Sequence, residues 1–157
     1  MKMIYDRFSR PITGLRISVT DKCNLNCFYC HREGISSKGE EELTPEEIAR
    51  VVRIGAKHGV TKVKLTGGEP LLRKDIIKIV EEISGIDEIE DISMTTNGIL
   101  LSKYAEKLRN AGLNRINISL DTLNPEKYRK ITGGGDIEKA LSGIDAAIEA
   151  KLKPVKI

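Results

Sequence analysis

No run of apolar residues in this chain approaches the ~20 that a membrane-spanning helix needs. The opening stretch MKMIYDRFSRP has no apolar core of the kind that marks a secretory signal, so the cytoplasm is the expected address. The net charge is only +3, too small to argue for nucleic acid or a membrane surface as partner, though it leaves room for a local basic pocket. Glutamine is absent while lysine, glutamate and isoleucine are plentiful, a balance that hints at a heat-adapted source. Cysteine is scarce. Cys23, Cys27 and Cys30 are the only three, and all lie in the stretch DKCNLNCFYC. An odd, clustered set without an export signal argues against a disulfide framework and for a metal centre.

What is present suits one ordinary domain: 157 residues, 39% hydrophobic and 31% charged, enough for a single core. Short apolar runs alternate with longer amphipathic ones. Strands are expected at Leu15–Thr20, Val60–Thr66, Ile89–Thr96, Leu113–Leu120 and Lys153–Ile157. A first helix should start at Thr44, where Thr44, Pro45 and Glu47 form a capping box with proline at the first helical position, and it should bury Ile48, Val51, Val52 and Gly55 before Gly59. A second is expected over Arg73–Ser84, burying Ile76, Ile77, Val80 and Ile83. A third begins near Ser102 and buries Ala105 and Leu108, ending at Gly112. A fourth segment starts at Pro125, is interrupted by Gly133–Gly135 as a flexible joint, and resumes at Asp136 with Leu141, Ile144 and Ile148 on one face. Met94 is expected in the core.

Strand and helix in strict alternation mean parallel pairing with right-handed crossovers. The expected architecture is α/β: an incomplete parallel barrel of about five strands. The last strand-like run ends without a helix to cover its edge, which suggests the front half of a longer protein.

CxxxCxxC follows the first strand, on the loop where parallel α/β folds place their chemistry. A cubane iron–sulfur cluster has four iron corners; three cysteines fill three and leave the fourth for another ligand. Two other readings stay open. One is a zinc site completed by His31, although zinc sites usually pair CxxC or CxxH arms. The other is an electron-carrier cluster, although carriers usually use four cysteines. After the second strand comes TGGEP (Thr66–Pro70), whose glycines let backbone approach a ligand and whose carboxylate can accept from an ammonium group.

CxxxCxxC with Tyr29 before its last cysteine, paired with TGGEP one strand later, resembles the signature of the radical S-adenosylmethionine enzymes. In that family the open iron chelates S-adenosyl-L-methionine, and reductive cleavage of the sulfonium yields a 5′-deoxyadenosyl radical. Finer stretches narrow the likeness: GLRISVTDKCNLNCFYCHREG, KLTGGEPLLRKDI, MTTNG, AGLNRINISLDTL and KPVKI are similar to the GTP 3′,8-cyclases of molybdenum cofactor biosynthesis, with HREG as in their archaeal branch. The likeness runs from about Asp6 to Ile157 and implies that residues 1–157 form the N-terminal part of the radical core domain.

Carried over position by position, the resemblance implies that Cys23, Cys27 and Cys30 hold a [4Fe-4S] cluster. It implies that Tyr29, Gly68 and Ser119 contact S-adenosyl-L-methionine. Arg16, Lys64, Thr95 and Lys156 match residues that bind GTP, Lys64 standing where many relatives have arginine and so losing the bidentate fork. Three basic residues at one barrel mouth suit a triphosphate, which carries about four negative charges. The implied reaction cyclises GTP to 3′,8-cyclo-7,8-dihydro-GTP. An electron donor and a downstream enzyme of molybdenum cofactor synthesis are the implied partners, with no nucleic acid and no membrane.

Each residue also has a plainer reading. Arg16, Lys64 and Lys156 could be solvated strand-edge charges, and Thr95 and Ser119 strand-end hydroxyls. Asn97, Asn117 and Asp121 read as structural supports, His31 as a loop residue and His58 as a helix-end residue. The chain lacks the second three-cysteine cluster of the family's other half, so little or no cyclic product is expected from it alone. A different radical enzyme, or a non-catalytic metal-binding module, is the alternative function.

Overall fold

A computed structural model describes residues 3–30 and 42–157 of the chain. His31 and the HREG stretch, with the zinc alternative that depends on them, lie outside the described residues.

Five parallel strands form one open sheet in the order β1-β2-β3-β4-β5. They are Gly14–Ser18 (β1), Lys62–Thr66 (β2), Asp91–Thr96 (β3), Arg115–Ile118 (β4) and Val155–Lys156 (β5). Each expected strand appears, shortened at one or both ends, although β1 starts one residue earlier than expected, at Gly14. Helices α1 (Pro45–Ala56), α2 (Ile76–Ser84), α3 (Ala105–Asn110), α4 (Pro125–Thr132) and α5 (Ile137–Glu149) supply the crossovers. No helix among the described residues is long and apolar enough to cross a membrane.

Alternation along the strands sorts side chains to two faces. Val63, Leu65, Ile92, Met94, Ile116 and Ile118 point to the helices and are almost wholly buried. The other face is polar. Register sets Arg16, Lys64, Ser93 and Arg115 in one row across β1 to β4. It sets Thr95, Asn117 and Lys156 in the next row across β3 to β5. The sheet therefore presents its charged residues on the face turned away from the core.

The caps form as the sequence dictates. Thr44 accepts from the Glu47 amide while the Glu47 side chain accepts from the Thr44 amide, closing both sides of the box at the start of α1. Asn124 and Asp136 cap α4 and α5 through their side chains.

Three helix faces differ from expectation. In α1 the buried stripe is Ile48, Ala49, Val52 and Ala56, and Val51 is 47% exposed. In α2 Ile79 is buried and Ile77 only half-buried. In α5 the buried residues are Ile137, Ala140, Gly143 and Ala147, while Ile148 is 56% exposed. The cause in α5 is close approach: a Cβ on Gly143 would come within 2.3 Å of the Gly98 carbonyl oxygen, so small residues, not large ones, face the connection that follows β3.

The triple glycine also differs from a loose joint. Gly133 takes the left-handed conformation that ends α4, at φ 68°. A Cβ there would stand 2.7 Å from the Asn26 carbonyl oxygen, and one on Gly135 2.9 Å from the Tyr128 ring. The turn is packed against the cysteine-bearing loop, which leaves no room for a side chain at Gly133 or Gly135.

Candidate functional site

The three thiols sit on the loop that leaves β1. Cys23 and Cys30 are exposed, Cys27 is half-buried, and none is in a disulfide. The loop is fixed from three sides by hydrogen bonds. On one side it runs against the turn after β2: Gly68 N donates to Thr20 O and Glu69 N to Lys22 O, both at 2.7 Å. A Cβ on Gly68 would come within 2.3 Å of Lys22 O, and one on Gly67 within 2.4 Å of Thr20 O. The two glycines of TGGEP thus let this turn touch the cysteine loop itself.

On the second side lies α4. The amides of Asn26 and Phe28, which flank Cys27, donate to the Thr132 and Ile131 carbonyls at 2.9 and 3.1 Å. The third side is the base of the loop. Arg73, whose side chain is only 4% exposed, donates to Val19 O at 2.7 Å and to Leu43 O, and pairs with Asp75 at 2.7 Å. One guanidinium therefore ties the residue before the loop to a residue beyond it. Thr20 Oγ1 adds a bond to Glu42 at 2.5 Å.

Glu69 does something other than face an open pocket. Its carboxylate, 1% exposed, accepts from Thr96 Oγ1 at 2.6 Å, the Asn97 amide at 2.7 Å and the Leu71 amide at 3.1 Å. Burial pushes its pKa above the usual carboxylate value, and the amide and hydroxyl donors pull it back. The side chain is a tie between the ends of β2 and β3. The part of TGGEP that meets the cysteine loop is its backbone.

Beside the loop an open cavity of about 510 Å³ is lined by Tyr29, Lys64, Asn117, Ser119, Asp121 and Lys156, among others. Four of the residues expected at a nucleotide site meet there: Tyr29, Lys64, Ser119 and Lys156. Arg16 and Thr95 are not in its lining but adjoin it in register, opposite Lys64 and Asn117. Gly68 lies at the cysteine loop and not on the cavity wall. Burial lowers the Lys64 pKa, with the charges of Arg16, Arg115 and Lys156 adding to the effect. Arg115 is itself bidentate on Asp91, at 2.6 to 3.1 Å. The cations therefore have a site where an anion would relieve their mutual repulsion.

Tyr29 links the two regions. Its hydroxyl donates to Asp121 Oδ2 at 2.8 Å, and burial, followed by the Asp121 bond, raises its pKa. Partial burial raises the Cys27 thiol as well, opposed by a hydrogen bond from Tyr29 and reinforced by Cys23 and Cys30. Asp121, expected as a structural support, anchors the Tyr29 hydroxyl, whereas the sequence assigns no role to Arg73 or Asp91. Only topology brings Arg73 to the base of the loop.

As a donor set, three free thiols on a loop cradled by side-chain-free glycines fit a cluster with an open corner. Among the described residues, no three His, Cys, Asp or Glu side chains converge as the ligands of one metal ion would.

Residues 17–157 match the Radical SAM superfamily. The chain is 57% identical over 152 residues to the probable GTP 3′,8-cyclase of Methanocaldococcus jannaschii, covering 97% of this chain and 51% of that protein. To the probable GTP 3′,8-cyclase of Archaeoglobus fulgidus it is also 57% identical, over 99% of this chain and 51% of the relative. The chain thus spans about half the length of the curated relatives it matches. Among solved structures, HydG, a maturase of the [FeFe]-hydrogenase, superposes with a TM-score of 0.73 at 21% identity, over 90% of this chain and 34% of that one, a likeness of fold.

Proposed function

The chain belongs to the radical SAM superfamily, and from that premise we propose that it is the N-terminal part of a GTP 3′,8-cyclase. The observation that carries the proposal is the meeting of a three-thiol loop, zipped to the glycines of TGGEP, with a basic cavity lined by Lys64 and Lys156. The likeness to archaeal GTP 3′,8-cyclases over nearly the whole chain supports the substrate.

In this reading Cys23, Cys27 and Cys30 hold a [4Fe-4S] cluster. Tyr29, Gly68 and Ser119 line the S-adenosyl-L-methionine beside it. When bound, the cluster and the sulfonium supply radical generation by one-electron reduction, which requires an electron donor. The protein's own work is placement. Lys64, Lys156 and Arg16 receive the phosphates of GTP, and Thr95 offers a hydroxyl on the same wall. Asp121 fixes the Tyr29 hydroxyl at the join between the two sites. The product passes to a downstream enzyme of molybdenum cofactor synthesis.

The test is anaerobic reconstitution with iron and sulfide, followed by assay of S-adenosyl-L-methionine cleavage with and without GTP. Visible absorption of an iron–sulfur cluster and cleavage that Cys27→Ala abolishes are expected. Full cleavage by that variant would refute the ligand assignment. A chain that responds to S-adenosyl-L-methionine but not to GTP would belong to a radical enzyme with another substrate, and a chain that takes only zinc would be a binding module. Little or no cyclic product is expected from this length of chain, and efficient turnover would overturn that expectation.

A further inference from the structure

Tyr128 holds the one buried side-chain nitrogen or oxygen, among the described residues, that has no hydrogen-bond partner. The residue is 1% exposed, and a phenol so enclosed normally finds a partner. Its place in the fold narrows what that partner is. Tyr128 lies one helical turn before Thr132 on α4, and the Thr132 hydroxyl bonds back to the Tyr128 carbonyl at 2.7 Å. Thr132 O and Ile131 O in turn seat the amides on either side of Cys27. The Tyr128 ring and Leu25 close over Gly135 from two directions, 2.9 and 3.0 Å from where its Cβ would stand. The phenol is thus built into the wall between α4 and the cysteine loop, and Cys27 is foremost among the groups whose charge bears on it.

The electrostatics of that wall call for a donor. Helix α4 turns its carbonyl end toward Cys27, and the negative end of a helix disfavours a thiolate. Asp121 and Asp136 add negative charge to the surroundings of Tyr128. A phenolic proton is the compensating group at hand, and an anionic sulfur is an acceptor that a metal-bound cysteine provides.

We propose that the Tyr128 hydroxyl is a hydrogen-bond donor to the Cys27 thiolate of the loaded cluster, and that it raises the cluster's reduction potential. The proposal rests on the reading of the loop as a cluster site. Hydrogen bonds to ligating sulfur stabilise the more electron-rich reduced state, so their loss lowers the potential.

The experiment compares the wild-type chain with Tyr128→Phe, both reconstituted anaerobically, by a redox titration followed by electron paramagnetic resonance. Phenylalanine keeps the ring and its packing. Equal iron per chain is expected, with a several-fold smaller reduced fraction in the variant at any fixed poise. The iron-free variant should melt at the same temperature as wild type or higher, because a hydroxyl without a partner contributes nothing there. Coincident titrations, or a higher potential in the variant, overturn the proposal while leaving the cluster assignment intact. A variant that fails to fold without iron overturns it too, since the hydroxyl would then have a structural partner. A wild-type chain that assembles no cluster defeats this proposal and the functional reading together.

Discussion

The Glu69 carboxylate, at the turn after β2, accepts a 2.6 Å hydrogen bond from Thr96 Oγ1 at the end of β3. It also holds the Asn97 amide at 2.7 Å, and Asn97 reaches Asn24 in the cysteine loop through its side chain at 2.8 Å. One buried acid therefore couples two strand ends to the loop that carries the thiols. Glu69→Gln keeps the shape but turns an NH₂ toward one of three donors. The expected cost is about 1–3 kcal/mol, the penalty of leaving a buried polar group unmatched. The pH dependence has a definite sign. Burial raises the folded-state pKa above the usual 4.5, so over that interval the folded chain keeps a proton the unfolded chain has lost. Stability contributed by Glu69 is full below the unfolded value and is lost as pH rises through the folded one. Glu69→Gln removes that slope, so denaturant melts of the two proteins should converge from acid to neutral pH. Parallel curves would show that the carboxylate does not titrate there.

Gly68 offers a steric test of the same region. A Cβ at this position would fall 2.3 Å from Lys22 O, 2.7 Å from Lys22 C and 2.8 Å from Asp21 O. All three are backbone atoms, which cannot swing aside as a side chain can. Gly68→Ala must therefore push the cysteine loop off the TGGEP turn. A loss of about 1–3 kcal/mol is expected from overpacking, together with a fall in iron bound per chain. Unchanged iron loading would show that the close contact is incidental to the metal site.

Arg73 is predicted to hold the base of the loop. Its guanidinium serves the Val19 and Leu43 carbonyls and Asp75 at once, and Val19 is 3% exposed. Arg73→Ala leaves the Val19 carbonyl without its donor and should cost about 1–3 kcal/mol, Asp75 being 40% exposed and able to turn to water. Arg73→Lys retains the charge but not the fork, and should recover only part of that. Calorimetric melts of the iron-free chain measure both. Equal stability of the lysine variant and wild type would mean that the fork geometry is unimportant.

The strands were legible because burial of one face writes β-branched and aliphatic residues at alternating positions, as in VKL and DISM. Helix starts were legible from Thr44-Pro45 and from Pro125. The helix faces were less so. Counting large apolar residues selected Ile148 and Val51, yet α5 packs through Ala140, Gly143 and Ala147, because the partner is a backbone carbonyl at Gly98. Hydrophobicity cannot report how near two backbones come. The same limit applied at the site. TGGEP was visible as a ligand-facing turn, but the inward path of the Glu69 side chain depends on Thr96 and Asn97, one strand away. The glycines at 133–135 were visible as a break between helices, whereas their contact with Asn26 and Leu25 joins residues more than a hundred positions apart, beyond any local pattern.

The last prediction concerns the basic wall. Lys64 is partly desolvated, and Arg16, Arg115 and Lys156 press its pKa down further. A triphosphate in the cavity would reverse that pressure by placing negative charge among the cations. Nucleotide binding should therefore take up a proton when the pH is near the lowered Lys64 value, and affinity should fall as pH rises through it. Lys64→Ala or Lys156→Ala should each weaken GTP binding about tenfold, ~1.4 kcal/mol, with the effect shrinking as salt screens the charges. Lys64→Arg, whose fork stays protonated at all accessible pH, should bind GTP without the pH dependence. Isothermal titration in two buffers of different ionisation enthalpy measures the affinity and the proton uptake together. Binding that is unchanged in both alanine variants would move the phosphates elsewhere and leave the cations as a solvated face.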